Sequence, residues 1–152
     1  MSEPHQIAQI RFASHAYQLQ HVRGQLRRLI EPLNQCTARE LDCIILAVNE
    51  ACMNIIQHAY GDGATGDIIL EILNNKDELI FRIIDFADPV DQCNCQSRDI
   101  DELRPGGLGV YLINEVMDSV HFLECPGNVG NILELRKTIS RNTEANNPQG
   151  EP

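Results

Sequence analysis

The stretch DIILEILNNKDELIFRIID, residues 67–85, decides the architecture. Two apolar, β-branched runs, 67–74 and 78–85, flank NNKD, a cluster of turn-forming residues. Runs of that length around such a turn predict a β-hairpin. The sheet is therefore expected to grow by neighbouring antiparallel strands rather than by strand–helix–strand crossovers.

The flanking sequence agrees with this reading. Upstream, residues 7–12 (IAQIRF) alternate weakly and are expected to form an edge strand. Ser14 is placed as the cap of a following helix, in which Leu19, Val22, Leu26, Leu29, Ile30 and Leu33 recur at helical spacing and Pro32 lies near the end. Thr37 and Glu40 form a capping box for a second helix with Leu41, Ile44, Ile45, Val48, Cys52, Ile55, Ile56 and Ala59 on one stripe and Gly61 as its stop. Downstream, residues 86–105 read as a long loop, of the kind used as lids or binding loops. A helix with Val110, Leu112, Ile113, Val116 and Met117 follows, then strands at 119–124 and 131–138 around the turn-rich CPGNVG. The order β-α-α-β-β-loop-α-β-β predicts an α+β fold: a two-layer α/β sandwich whose mixed, largely antiparallel sheet is covered on one face by helices. One domain is expected over 1–140, with 141–152 a polar, disordered tail.

Bulk composition narrows the function. At 152 residues and 43% hydrophobic, the chain can bury one proper core. No apolar run approaches the roughly 20 residues that span a bilayer, and the N-terminus lacks the regions of a signal peptide, so a cytoplasmic protein without a membrane anchor is expected. A net charge of −10 argues against direct nucleic-acid binding. It leaves room for a phosphate ligand held by backbone amides. The six cysteines are scattered and do not read as a disulfide framework, and Cys93 and Cys95 alone make no metal site.

Three groups of residues carry chemistry. On a wheel of about 100° per residue, Glu50 and Asn54 fall opposite the apolar stripe of the second helix, one turn apart, with His58 continuing the column. A carboxylate there can take a proton, and an amide oxygen is a hard ligand suited to Mg²⁺; the competing reading is a solvated polar face. Asp85 ends an apolar strand, where it is either a strand-ending turn residue or an acceptor at the floor of a pocket. Gly106, Gly107 and Gly109 are placed just before a helix N-terminus, a geometry that suits anionic phosphate or serves as a hinge. The G-x-G-x-x-G spacing of dinucleotide-binding folds is absent.

Together these pieces resemble the ATPase superfamily that includes gyrase, histidine kinases and the large heat-shock chaperones, whose ATP-binding core is the Bergerat fold. NEACMNIIQHAYGD (49–62) is similar to its N motif and RPGGLGVYLINEVMDSVHF (104–122) to its second glycine motif. The HAY ending and the wording after Arg104 resemble the small anti-sigma-factor serine/threonine kinases, over roughly residues 5–138. The family's Asp-x-Gly stands here as Asp85-Phe86-Ala87, an alanine that would be strained at positive φ, and its Gly-Thr near the adenine stands as Gly130-Asn131.

The resemblance implies an ATP-dependent serine/threonine kinase that acts as an anti-sigma factor by partner switching. Its expected partners are a sigma factor and an antagonist protein that it phosphorylates, and it is expected to be a homodimer. Glu50 takes the role of catalytic base and Asn54 that of Mg²⁺ ligand. Asp85 reads the adenine amine, with Ala87 beside it. Gly106, Gly107, Leu108, Gly109 and Val110 wrap the phosphates, and Arg104 touches them from the lid. The alternatives are a nucleotide-dependent module that sequesters a partner without phosphoryl transfer, and an ATP hydrolase.

Overall fold

The computed structural model describes residues 3–59, 66–87, 108–124 and 130–139. Strand β1 (His5–Ala13) leads through a short 3₁₀ turn into helix α1 (Leu19–Ile30), and helix α2 (Ala38–His58) returns. The hairpin β2 (Asp67–Asn74) and β3 (Glu78–Asp85) follows, with the bounds its apolar runs dictate. Helix α3 (Leu108–Val116) then precedes β4 (Ser119–Leu123) and β5 (Asn131–Thr138).

The strands lie in the order β1-β2-β3-β5-β4, and all four pairings are antiparallel. The mixed component expected of the sheet is therefore not seen among the described strands. The connections explain this. Two helical passes between β1 and β2 return the chain to the end it left, so β2 must run back along β1. A single helix between β3 and β4 makes those two strands run the same way, and β5 fits between them, antiparallel to both.

Strand alternation sorts the sheet into two faces. Ile10 and Phe12, Ile68, Leu70 and Ile72, Leu79, Phe81 and Ile83, and Leu133 and Leu135 join one core with Leu19, Val22, Leu26 and Ile30 of α1 and the apolar stripe of α2. On the opposite face Glu134, itself buried, receives Arg82 Nε at 2.9 Å and Arg136 Nε at 2.7 Å, and Arg136 Nη1 reaches Glu78 at 3.0 Å. Burial acts to raise the Glu134 pKa, but the hydrogen bonds and charges of Arg136 and Arg82 outweigh it and hold the carboxyl below the ordinary range.

The capping box of α2 is formed as the sequence requires: Thr37 Oγ1 accepts from Glu40 N–H at 3.1 Å, and Glu40 accepts from Thr37 N–H at 3.3 Å. Ser14, in contrast, caps no helix. The 3₁₀ turn at Ala16–Gln18 delays α1 until Leu19, too far for the Ser14 hydroxyl to reach its free amides. Instead Ser14 N–H donates to the Gly66 carbonyl at 2.9 Å and its Oγ accepts from Gly66 N–H at 3.1 Å, which extends the β1–β2 ladder. The helix α2 ends at His58 with Ala59 as its cap, and Gly61 lies outside the described residues.

Candidate functional site

Chain direction assembles one end of the molecule. Gln35, just before α2, accepts from Asn74 Nδ2 at 2.7 Å and donates to the Asn75 carbonyl at 3.3 Å, so α2 starts beside the hairpin turn. From Thr37 to Asn54 the helix climbs about 25 Å at about 1.5 Å per residue. An eight-residue strand covers about 27 Å. Asn54 thus comes level with the far end of β3, where Asp85 stands. α3 is anchored at the turn end, because Asp118, just beyond it, donates its N–H to the Arg136 carbonyl and accepts from Thr138 N–H. Its N-terminus, with Gly109 and Val110 in the first turn, heads away from that end and toward Asp85. The first four amides of any helix lack partners within it.

The wheel places Asn54 on a polar side of α2, yet Asn54 is only 3% exposed. It shares its side of the helix with Ala47 and Ala51, both sealed, and α2 packs against α1, α3 and β3. The solvated-face reading fails for this residue, because that side of the helix faces protein. Both ends of the Asn54 carboxamide are buried, and neither has a hydrogen-bond partner among the described residues. A buried amide left in that state costs about 1–3 kcal/mol, so native proteins rarely retain one without a use for it. Glu50, one turn earlier, is half-buried, and His58, one turn later, is exposed. The neighbouring Asn49 accepts from Arg23 Nη1 of α1 at 2.7 Å, a tie between the two helices that the sequence reading did not find.

Asp85 follows Leu79, Phe81 and Ile83 in the alternation of β3, so it points to the helix-covered side at the strand's end. It is 4% exposed. Its Oδ1 accepts from Asn131 Nδ2 at 2.9 Å and from Ala87 N–H at 3.1 Å. Burial pushes the Asp85 carboxyl above the ordinary range, and these two hydrogen bonds pull it partly back. The Ala87 bond is an Asx turn, which ends the strand and aims the chain away. Ala87 does not adopt positive φ, so the missing glycine of the expected motif brings no backbone strain here.

Gly130, at φ +79°, is where the glycine is needed: a Cβ there would lie 2.0 Å from the Asp85 carbonyl oxygen. Asn131 and Gly130 were legible only as a departure from a motif. Their contact with Asp85 comes from the β3–β5 pairing, in which Asp85 lies opposite Asn131.

Of the expected site residues, Glu50, Asn54, Asp85, Ala87, Gly109 and Val110 are described, and Val110 is 3% exposed. Leu108 begins α3, and Arg104, Gly106 and Gly107 lie outside the described residues, as do Cys93 and Cys95. Cys36, Cys43 and Cys52 are free thiols, and burial pushes Cys52 up to about 12. Among the described residues no cluster of His, Cys, Asp and Glu could hold a metal, and no helix is long and apolar enough to cross a membrane.

This arrangement can do three things. A carboxylate on the floor can accept from an amine, a buried amide can ligate a hard cation or bond a polar ligand, and amides at a helix N-terminus can meet an anion. A nucleoside triphosphate with its cation carries all three complements.

Known proteins with related sequences agree. A family model for the histidine kinase-like ATPase domain matches residues 12–137. Serine-protein kinase RsbW of Halalkalibacterium halodurans is 32% identical over 124 residues, which cover 75% of this chain and 72% of that protein. Serine-protein kinase RsbW of Bacillus pumilus is 32% identical over 112 residues, 67% of each chain. Its namesake from Staphylococcus aureus is 34% identical over 113 residues, 67% of this chain and 68% of that one. The chain belongs to the histidine kinase-like ATPase family, among its protein-serine kinases.

Proposed function

We propose that this protein transfers phosphate from Mg²⁺-bound ATP to a serine or threonine hydroxyl of an antagonist protein. We propose further that it acts as an anti-sigma factor in a partner-switching system, as a cytoplasmic homodimer built from one domain over 1–140 with a polar tail. The observation that carries the ATP reading is the Asn54 carboxamide, sealed and without a partner among the described residues, at the same end of the fold as Asp85 and one turn from Glu50. Orphaned amide atoms among apolar neighbours fit a cation with its phosphates better than they fit an empty core.

When bound, Mg²⁺·ATP supplies the reactive phosphoryl group and much of the neutralisation of its charge. The remaining work falls to the chain. Asn54 Oδ1 is a neutral oxygen that binds the cation without adding charge. Asp85 accepts a hydrogen bond from the adenine amine. Arg104 and the backbone of Gly106, Gly107, Leu108, Gly109 and Val110 hold the phosphates, and Ala87 lies against the base. Glu50 accepts the hydroxyl proton of the incoming serine or threonine. Positioning and charge complementarity suffice for in-line transfer, so this short set is adequate.

Labelled ATP with a candidate antagonist tests the reading. Wild type is expected to label the antagonist, whereas Glu50→Ala should lose about 100-fold or more of the transfer while still binding ATP. ATP binding with no labelled acceptor in either protein would instead identify a nucleotide-dependent binding module.

A further inference from the structure

The β3–β5 pairing brings a second polar side chain to the floor of the site. Asn131 lies across from Asp85 and shares the alternation of Leu133 and Leu135, so it points to the same helix-covered side. Its Nδ2 donates to Asp85 Oδ1 at 2.9 Å. In this bond the Asn131 amide is the donor and the Asp85 carboxyl oxygen the acceptor. The Ala87 N–H reaches the same oxygen at 3.1 Å. Both bonds therefore fall on one oxygen of a carboxylate that is 4% exposed. Gly130 keeps the two strand ends close enough for this contact, since any side chain there would collide with the Asp85 backbone.

We infer that Asn131 is a positioning residue for base recognition: by occupying Oδ1 it turns Asp85 so that Oδ2 is the oxygen presented to the exocyclic amine of adenine. The Asn131 bond also opposes the upward push of burial on Asp85, and so favours the ionised form that accepts from an amine. The inference deepens the ATP reading and rests on it, through the role given to Asp85.

Calorimetric binding of ATP and of purine riboside triphosphate, which lacks the exocyclic amine, tests it in the full chain. Wild type should bind ATP more tightly than the analogue, and Asp85→Asn should lose that preference. Asn131→Ala should weaken ATP by about 10-fold, as expected for loss of a hydrogen bond to a charged group, and leave the analogue within about two-fold. Retained analogue binding also shows that the variant is folded. In the nucleotide-free protein, carbon-detected titration should show the Asp85 midpoint rising in Asn131→Ala. Equal loss of both nucleotides would overturn the inference by reducing Asn131 to a structural role. If Asp85→Asn lowers the preference for ATP but Asn131→Ala does not, the inference falls and the ATP reading stands. If wild type does not distinguish the two nucleotides, the role of Asp85 fails and the inference with it.

Discussion

Asn74 and Asn54 are two buried carboxamides, 6% and 3% exposed, at opposite ends of the sheet. At the turn end, Asn74 Nδ2 donates to Gln35 Oε1 at 2.7 Å, to the Asn75 carbonyl at 2.9 Å and to the Glu78 carbonyl at 3.1 Å. Asn75 Oδ1 closes the hairpin by accepting from Asp77 N–H and Glu78 N–H. At the other end Asn54 has no hydrogen-bond partner among the described residues. The sheet's buried carboxylates repeat the contrast. Glu134 is locked between two arginines, whereas Asp85 has two neutral donors on one oxygen and no cation among the described residues. One end is complete without a ligand. The other carries buried polar groups that the described residues leave unsatisfied, which is the contrast on which the proposed nucleotide site rests.

Substitution can break that contrast, and the largest effect is expected for the asparagines. Asn74→Leu should destabilise by about 3 kcal/mol, because it removes a donor that serves three acceptors. Asn54→Leu removes two orphaned atoms at similar volume, so the nucleotide-free protein should hold its stability or gain about 1 kcal/mol while Mg²⁺-dependent ATP binding is lost. Paired chemical denaturation would show it, and equal destabilisation of the two would mean that Asn54 is bonded in solution.

The carboxylates should differ next. Glu134→Gln leaves two partly exposed arginines without their shared counter-charge, and a loss of about 1–2 kcal/mol is expected. The Glu134 pKa is lowered by folding, so its contribution is present above the unfolded pKa of about 4.3 and lost as pH falls through the lower folded value. Asp85 has the opposite sign. Its folded pKa is raised, so the fold tolerates the protonated form better, and stability drops as pH rises through that value. Asp85→Asn should therefore leave thermal stability at neutral pH equal or higher while ATP affinity falls by about 10-fold or more. Melting curves from pH 3 to 8 separate the two variants, and an unfolded Asp85→Asn would contradict the division of roles. The smallest effect is expected at Ala87→Gly. It keeps the N–H that Asp85 accepts and relieves no positive φ, so ATP affinity should change by no more than about two-fold.

Much of this was legible locally. The NNKD turn between two apolar runs set the hairpin, Thr37 and Glu40 set the start of α2, and helical spacing picked the buried face of α1. Each depends on residues within a few positions of one another, where periodicity and capping chemistry act. Ser14 misled for the complementary reason: its residue type suits a cap, but its partner is Gly66, fifty-two residues away.

The sequence by itself determined the described strands and helices and the antiparallel hairpin, and it singled out Glu50, Asn54 and Asp85 as candidates. Only the tertiary structure decided that Asn54 faces protein rather than water, because burial of a helix side depends on what packs against it. Likewise, only the β3–β5 pairing brought Gly130 and Asn131 against Asp85, since strands so far apart in the chain find their register through the shared core and not through local signals.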